Sequence, residues 1–267
     1  MSKIYTKEEA VDAKKQCFKK LNSLLESLIA KSAPSTENDT DYQKKAALIS
    51  KWITQYANYI SFEEKFSPHK LIGYKRGDIV FVNFGFNIGS EFGGEHYAVV
   101  IDNNNDRNSS TITVVPLSSY KPGKEIHPND LYLGNELFEK LQLKLKILAP
   151  QLKEQCTKND LLLSLIKEKL STACSETDAK DLELLIEELG EKQLHLSKEI
   201  EKTQKIRNEL LTLKQGSVAK IQQITTISKM RIYNPKNSSS PLYGIRFSEE
   251  TMKLINAKIK DFFIFDE

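Results

Sequence analysis

The chain has 267 residues, and its 39 Lys and Arg against 36 Asp and Glu leave a net charge of +3. That balance argues against a protein that holds nucleic acid by bulk charge, although a local basic groove fits within it. Cys17, Cys156 and Cys174 are odd in number and lack CxxC or Cys/His spacing, which argues against a metal site and predicts free thiols in a reducing cytoplasm. The first residues carry no apolar leader core, and no apolar run approaches the roughly 18 residues of a membrane span, so a soluble, unprocessed chain is expected. The chain is long for one simple core, which suggests one domain plus an appendage, or two small domains.

Residues 1–66 read as a helical hairpin. Thr6 and Glu9 fit a capping box, and Val11, Phe18, Leu21, Leu25 and Leu28 fall on one helical face. Ala33 to Asp41 is a polar turn containing a proline, after which Tyr42, Ala46, Ile49, Ile53, Tyr56 and Ile60 repeat the stripe. Two such stripes joined by a short connection predict antiparallel pairing.

Residues 67–134 change character. Ile79 to Phe84, Tyr97 to Ile101 and Ile112 to Leu117 are apolar runs of strand length, separated by Gly-, Asn- and Ser-rich turns. Asp78 is expected to satisfy backbone donors at the first turn. Ile126 to Leu133 holds a further short strand candidate.

Residues 135–215 are rich in Leu, Lys and Glu. Leu182, Leu189, Leu196, Thr203 and Leu210 follow a seven-residue spacing, as do Leu185, Ile206 and Leu213 with polar interruptions at Lys192 and Glu199. With the leucine-rich stretch Leu137 to Leu170 this predicts an antiparallel coiled-coil hairpin, kinked or divided at Pro150 and capped near Ser175 or Thr177. Residues 216–267 return to strand character in GSVAKIQQITTISKMRI. Tyr243 to Phe247 is another strand candidate, Ser248 an N-cap, and Met252, Ile255 and Ile259 a helical stripe before a terminal FFIF segment expected to be buried.

Two blocks carry a resemblance. The first is KRGDIV, GSE-x-GG, AVVIDN and VVPLSS between Lys75 and Ser119, and the second is Gly216 to Ile232. In that order they resemble the PemK/MazF family of toxin endoribonucleases. The resemblance implies an α+β fold with a small curved antiparallel sheet or barrel and a C-terminal helix, to which the residues themselves add the N-terminal helices and the inserted coiled-coil hairpin. It implies a toxin-like, growth-inhibiting endoribonuclease that cleaves single-stranded RNA without metal or other cofactor by 2'-hydroxyl attack. A cytoplasmic homodimer and a cognate antitoxin partner are implied with it.

His96 falls where that family usually carries an arginine, and Ser118 where it has an active-site hydroxyl. Lys220 and Gln222 stand for an arginine and an aspartate, and Gln223 matches a following glutamine. The resemblance therefore implies a catalytic set of His96, Ser118 and Lys220, with substrate bound by Asn87, Ser90, Glu91, Ser119, Gln222 and Gln223. Histidine can exchange a proton near neutral pH where arginine cannot, whereas glutamine cannot replace a carboxylate as a base. The same residues also have ordinary readings: a histidine capping a strand end, serines opening a turn, glutamines on a solvated strand. The alternative function is accordingly a catalytically inactive module of the same fold, binding RNA or protein and regulated through its helices.

Overall fold

The computed structural model describes residues 5–31, 39–172 and 175–264. The chain divides into two compact units, residues 1–66 and 67–267. The turn expected at Ala33 to Asp41 lies largely outside the described residues, as do Cys174 and Phe265.

The first unit holds α1 (Lys7–Ala30) and α2 (Asp39–Phe62). The Thr6 hydroxyl accepts from the Glu9 backbone N–H while the Glu9 carboxylate accepts from Thr6, which satisfies two of the free donors at the helix start. The paired stripes meet over a short stretch: Leu28, Ala46 and Ile49 are buried, whereas Val11, Phe18, Tyr42, Ile53, Tyr56 and Ile60 are exposed. An amphipathic pattern on two helices is thus only partly consumed by their mutual packing.

The second unit is built on an antiparallel sheet of seven strands, ordered β4-β5-β3-β2-β1-β7, with β6 also paired to β3. The strands are β1 (Ile79–Asn83), β2 (Glu95–Val100), β3 (Thr111–Ser119), β4 (Leu131–Tyr132), β5 (Ser217–Ala219), β6 (Thr225–Ser228) and β7 (Ile232–Asn234). Because side chains alternate along a strand, the two faces read directly from residue parity. On one face Ile79, Val99, Val115 and Leu117 join Leu137, Leu141, Ile206, Met252 and Ile255 in a closed core. On the other, Val80, Val82, Ala98, Val100, Ile112 and Val114 pack with Tyr74, Phe84, Ile227 and Ile232.

The helices of the first face are α3 (Glu136–Thr172), α4 (Glu176–Thr212) and α5 (Glu249–Phe263). α3 and α4 form the hairpin that leaves the sheet after β4 and returns at β5, two strands that lie side by side. Its far half has a cluster of its own at Ile166, Leu182 and Leu189, and Ser175 caps α4 through a box with Asp178. α3 continues through Pro150 as one helix. Pro150 is exposed, so water can satisfy the carbonyl that its missing N–H leaves free.

At the base, the Glu136 carboxylate accepts from the backbone N–H of Ser248 at 2.6 Å and from the Thr251 hydroxyl, and pairs with Lys140 at 2.9 Å. An acid at the N-terminus of α5 also suits the helix dipole. Burial alone raises this carboxyl, but the bonds from Thr251, Lys140 and Ser248 outweigh it and leave its pKa below the usual value.

Two strand expectations are corrected. Tyr243 to Phe247 is a run of turns with a single bridge between Asp78 and Arg246, because Gly244 takes φ +75° and Ile245 N–H turns back to Leu242. Leu242, Ile245 and Phe247 are buried all the same. Of Ile126 to Leu133, only Leu131 and Tyr132 pair. At the C-terminal helix Phe262 packs on the core, but Phe263 and Ile264 are exposed, so the expected burial of that segment holds for its first residue alone among those described.

Candidate active site

The glycine-rich segment between β1 and β2 is a laced loop. Phe84 N–H bonds to Gly94 C=O at 2.8 Å and Gly94 N–H to Gly85 C=O at 2.6 Å. The Asn87 amide donates to the carbonyls of Phe84 and Phe92, and the Glu91 carboxylate accepts from Ile88 N–H. A Cβ on Gly93 would sit 2.8 Å from the Gly85 carbonyl oxygen, so this crossing requires glycine. Gln223 reaches across from the turn after β5, its carbonyl oxygen accepting Phe92 N–H at 3.2 Å. Asn87, Glu91 and Gln223 therefore hold the loop's shape, while Ser90 on its tip is exposed.

That loop delivers Phe92 and Gly93 to His96. The Phe92 ring lies 4.6 Å from the imidazole, centroid to centroid, and a ring nitrogen of His96 bonds to the Gly93 backbone. Burial lowers the histidine's pKa below its ordinary value, and the Gly93 hydrogen bond opposes that in part. At neutral pH the ring is consequently neutral and able to accept a proton.

The β2–β3 ladder ends at the pair Ala98 and Pro116, two residues short of His96 on β2 and of Ser118 on β3. Both residues line a cleft of about 230 Å³ between the ends of β2 and β3, together with Ser119, Tyr97, Leu213 and Lys214. Ser118 and Ser119 also border a second cleft of about 520 Å³, walled by Tyr120, Lys121, Lys124, His127, Asp130 and Lys220. The hydroxyls thus form the rim between two cavities.

The remaining expected residues separate from this pair. Lys220 lines the second cleft alone of the two, and its ammonium is held by Asp130 at 2.5 Å. A phosphate arriving there competes with a carboxylate. Gln222 is exposed in the turn Ile221–Gln223 and Ser119 is exposed at the strand end. Lys229 is buried, donating to the Asp106 carbonyl and lying over the Tyr74 ring, and Arg231 donates to Asn83 C=O, so both serve the fold. Asp78 accepts Lys75 N–H and pairs with Arg246 at 2.8 Å.

The chain's numbering gave no reason to single out Phe92, Tyr120, His127 or Tyr132. Phe92 lies against His96, and the place of the other three near the serines depends on which strand ends meet. Among the described residues no group of three His, Cys, Asp or Glu gathers as a metal cluster, and no helix is long and apolar enough to cross a membrane.

An open antiparallel sheet with a C-terminal helix and a glycine-rich loop between its central strands makes this an α+β protein. Residues 75–189 match the family described as PemK-like, MazF-like toxin of type II toxin-antitoxin system, and over that stretch the chain is similar to this PemK/MazF family. The matched range ends inside α4, so the block from Gly216 to Ile232 lies beyond it. That block nonetheless supplies β5 and β6, which pair with β3. No curated protein matches the chain.

Proposed function

We propose that the chain is an endoribonuclease that cuts single-stranded RNA by the attack of a 2'-hydroxyl on its own 3'-phosphate. The reading rests on His96 and Ser118 lining one cleft, in a chain whose residues 75–189 match a toxin family. His96, neutral and held by the Gly93 backbone, takes the 2'-hydroxyl proton. The new O2'–P bond forms as the P–O5' bond breaks, and the leaving 5'-oxygen takes a proton from solvent water, giving a 2',3'-cyclic phosphate and a 5'-hydroxyl end. Ser118 donates to a phosphoryl oxygen as charge gathers there. The nucleophile belongs to the substrate, so neither serine attacks. Antitoxin binding, growth inhibition in the cytoplasm and action as a homodimer follow from the family and belong to this proposal.

Purified protein is expected to cut a mixed single-stranded RNA pool, and His96→Ala to slow cleavage about 10²- to 10⁴-fold with the circular dichroism spectrum unchanged. The acid limb of the pH–rate profile is expected below pH 6.5, since folding lowers the imidazole's pKa from that ordinary value. Full activity in His96→Ala excludes this mechanism.

The second reading is an inactive binding module, and one observation favours it. Lys220 is tied to Asp130 and Gln223 to the loop, leaving His96 without a second acid or base from the family positions. RNA bound but uncut at high protein excess selects that reading.

A further inference from the structure

The second cleft has a feature that proton transfer does not use. Ser118 pairs with Val218, and Val218 pairs on its other side with Tyr132, so Ser118, Val218 and Tyr132 form one row across three strands. Directly paired residues share a face, and neighbouring strands lie about 4.8 Å apart, which puts Tyr132 about 10 Å from Ser118 on the side where the hydroxyl points. Tyr132 is 44% exposed. The Tyr120 ring, one residue past Ser119, lies 5.0 Å from it at 54°.

Tyr120 is fixed from behind. Its backbone N–H bonds to Gly216 C=O at 2.9 Å, and a Cβ on Gly216 would come within 2.7 Å of the Tyr120 Cβ. Lys121 and Lys124 follow on the same rim, and both line the cleft with Tyr120. Neither has an ion-pair partner among the salt bridges of the described residues, whereas Asp130 is engaged by Lys220. Exposed rings beside free cations form the surface on which single-stranded nucleic acid rests: bases stack on the aromatic faces and the backbone follows the positive charge.

We infer that Tyr120 and Tyr132 form a base-stacking subsite for a nucleotide flanking the phosphate held at Ser118, with Lys121 and Lys124 receiving the adjoining backbone. The inference rests on the RNA reading of the same site and names where the strand continues. Stacking tolerates any base, so the subsite contributes affinity with little sequence preference.

The full chain is titrated with a fluorescein-labelled single-stranded RNA made uncleavable by 2'-O-methyl groups, and the unmodified RNA is used in parallel for cleavage. Tyr120→Leu and Tyr132→Leu are each expected to weaken binding at least fivefold and to raise KM with kcat little changed. Tyr120→Phe and Tyr132→Phe keep the ring and are expected to bind as the parent does, which separates stacking from folding. RNA that is bound in a Tyr-dependent way but never cut sinks the nuclease and leaves the subsite. RNA that is cut, with both Leu variants binding like the parent, sinks the subsite and leaves the nuclease. A parent chain that ignores RNA overturns both and assigns the rings to another ligand.

Discussion

Two helical hairpins occur in this chain, written in much the same residues and put to different use. α1 and α2 bury Leu28, Ala46 and Ile49 and leave Val11, Phe18, Tyr42, Ile53, Tyr56 and Ile60 exposed. α3 and α4 spend the ends of their stripes on the sheet, where Leu137, Leu141 and Ile206 are buried in the main core, and keep a separate small cluster at Ile166, Leu182 and Leu189. An amphipathic period therefore says that a face prefers burial, not how much of it is buried or by what. Anchorage comes from the two places where the inserted helices meet strands.

The comparison breaks most easily at Ile206. Ile206→Ala removes a side chain with no exposure from the joint between α4 and the sheet, and a loss of about 2–5 kcal/mol in urea unfolding of the sheet unit is expected. A loss below about 1 kcal/mol means that the joint is slack. The next effect is at Glu136, which ties the first turn of α3 to the start of α5. Glu136→Gln is expected to cost about 1.5–3 kcal/mol, as befits hydrogen bonds to a charged group that is partly buried. Since its folded pKa is lowered, its contribution is complete above the unfolded value of 4.5 and declines as pH falls through the folded value. Acid titration of stability in parent and variant should therefore diverge above that window and converge below it. Smallest is Phe18→Ser in α1, on the predicted stripe yet 61% exposed, where a change within about 0.5 kcal/mol is expected by thermal melting. A large loss there would show that this face is covered in solution.

The three long strands, the capped helices and the inserted hairpin were legible because each depends on local period and turn chemistry. β1, β2 and β3 fall on the apolar runs, and Thr6, Ser175 and Ser248 cap as their spacing suggests. Tyr243 to Phe247 was misread because burial without a ladder has the same apolar composition as a strand. Within the candidate site, His96 and Ser118 were named through the family pattern, and both line one cleft. The ion pair of Lys220 with Asp130 was not legible, since its partner is 90 residues away and nothing local marks it. Gln223 shows the same limit: its amide is engaged by a loop that adjoins it only in the folded sheet.

Tyr97 adds a link between the two halves of the molecule. Its hydroxyl donates to Glu209 near the end of α4, and burial, then that hydrogen bond and charge, raise its pKa far above the ordinary range. The phenol therefore stays protonated, and able to donate, through the range in which His96 titrates.

The pairing of β4 with β5 carries a topological consequence. The whole α3–α4 arm occupies the position of a turn between adjacent antiparallel strands, an ordinary hairpin connection stretched to great length. Closing a longer connection costs only slowly more entropy, and here the helices bring the ends back together themselves. Removing matched seven-residue steps from both helices would retract the arm like a telescoping rod while its root stayed in place. Reach could thus change by whole heptads while the sheet at its root was left untouched.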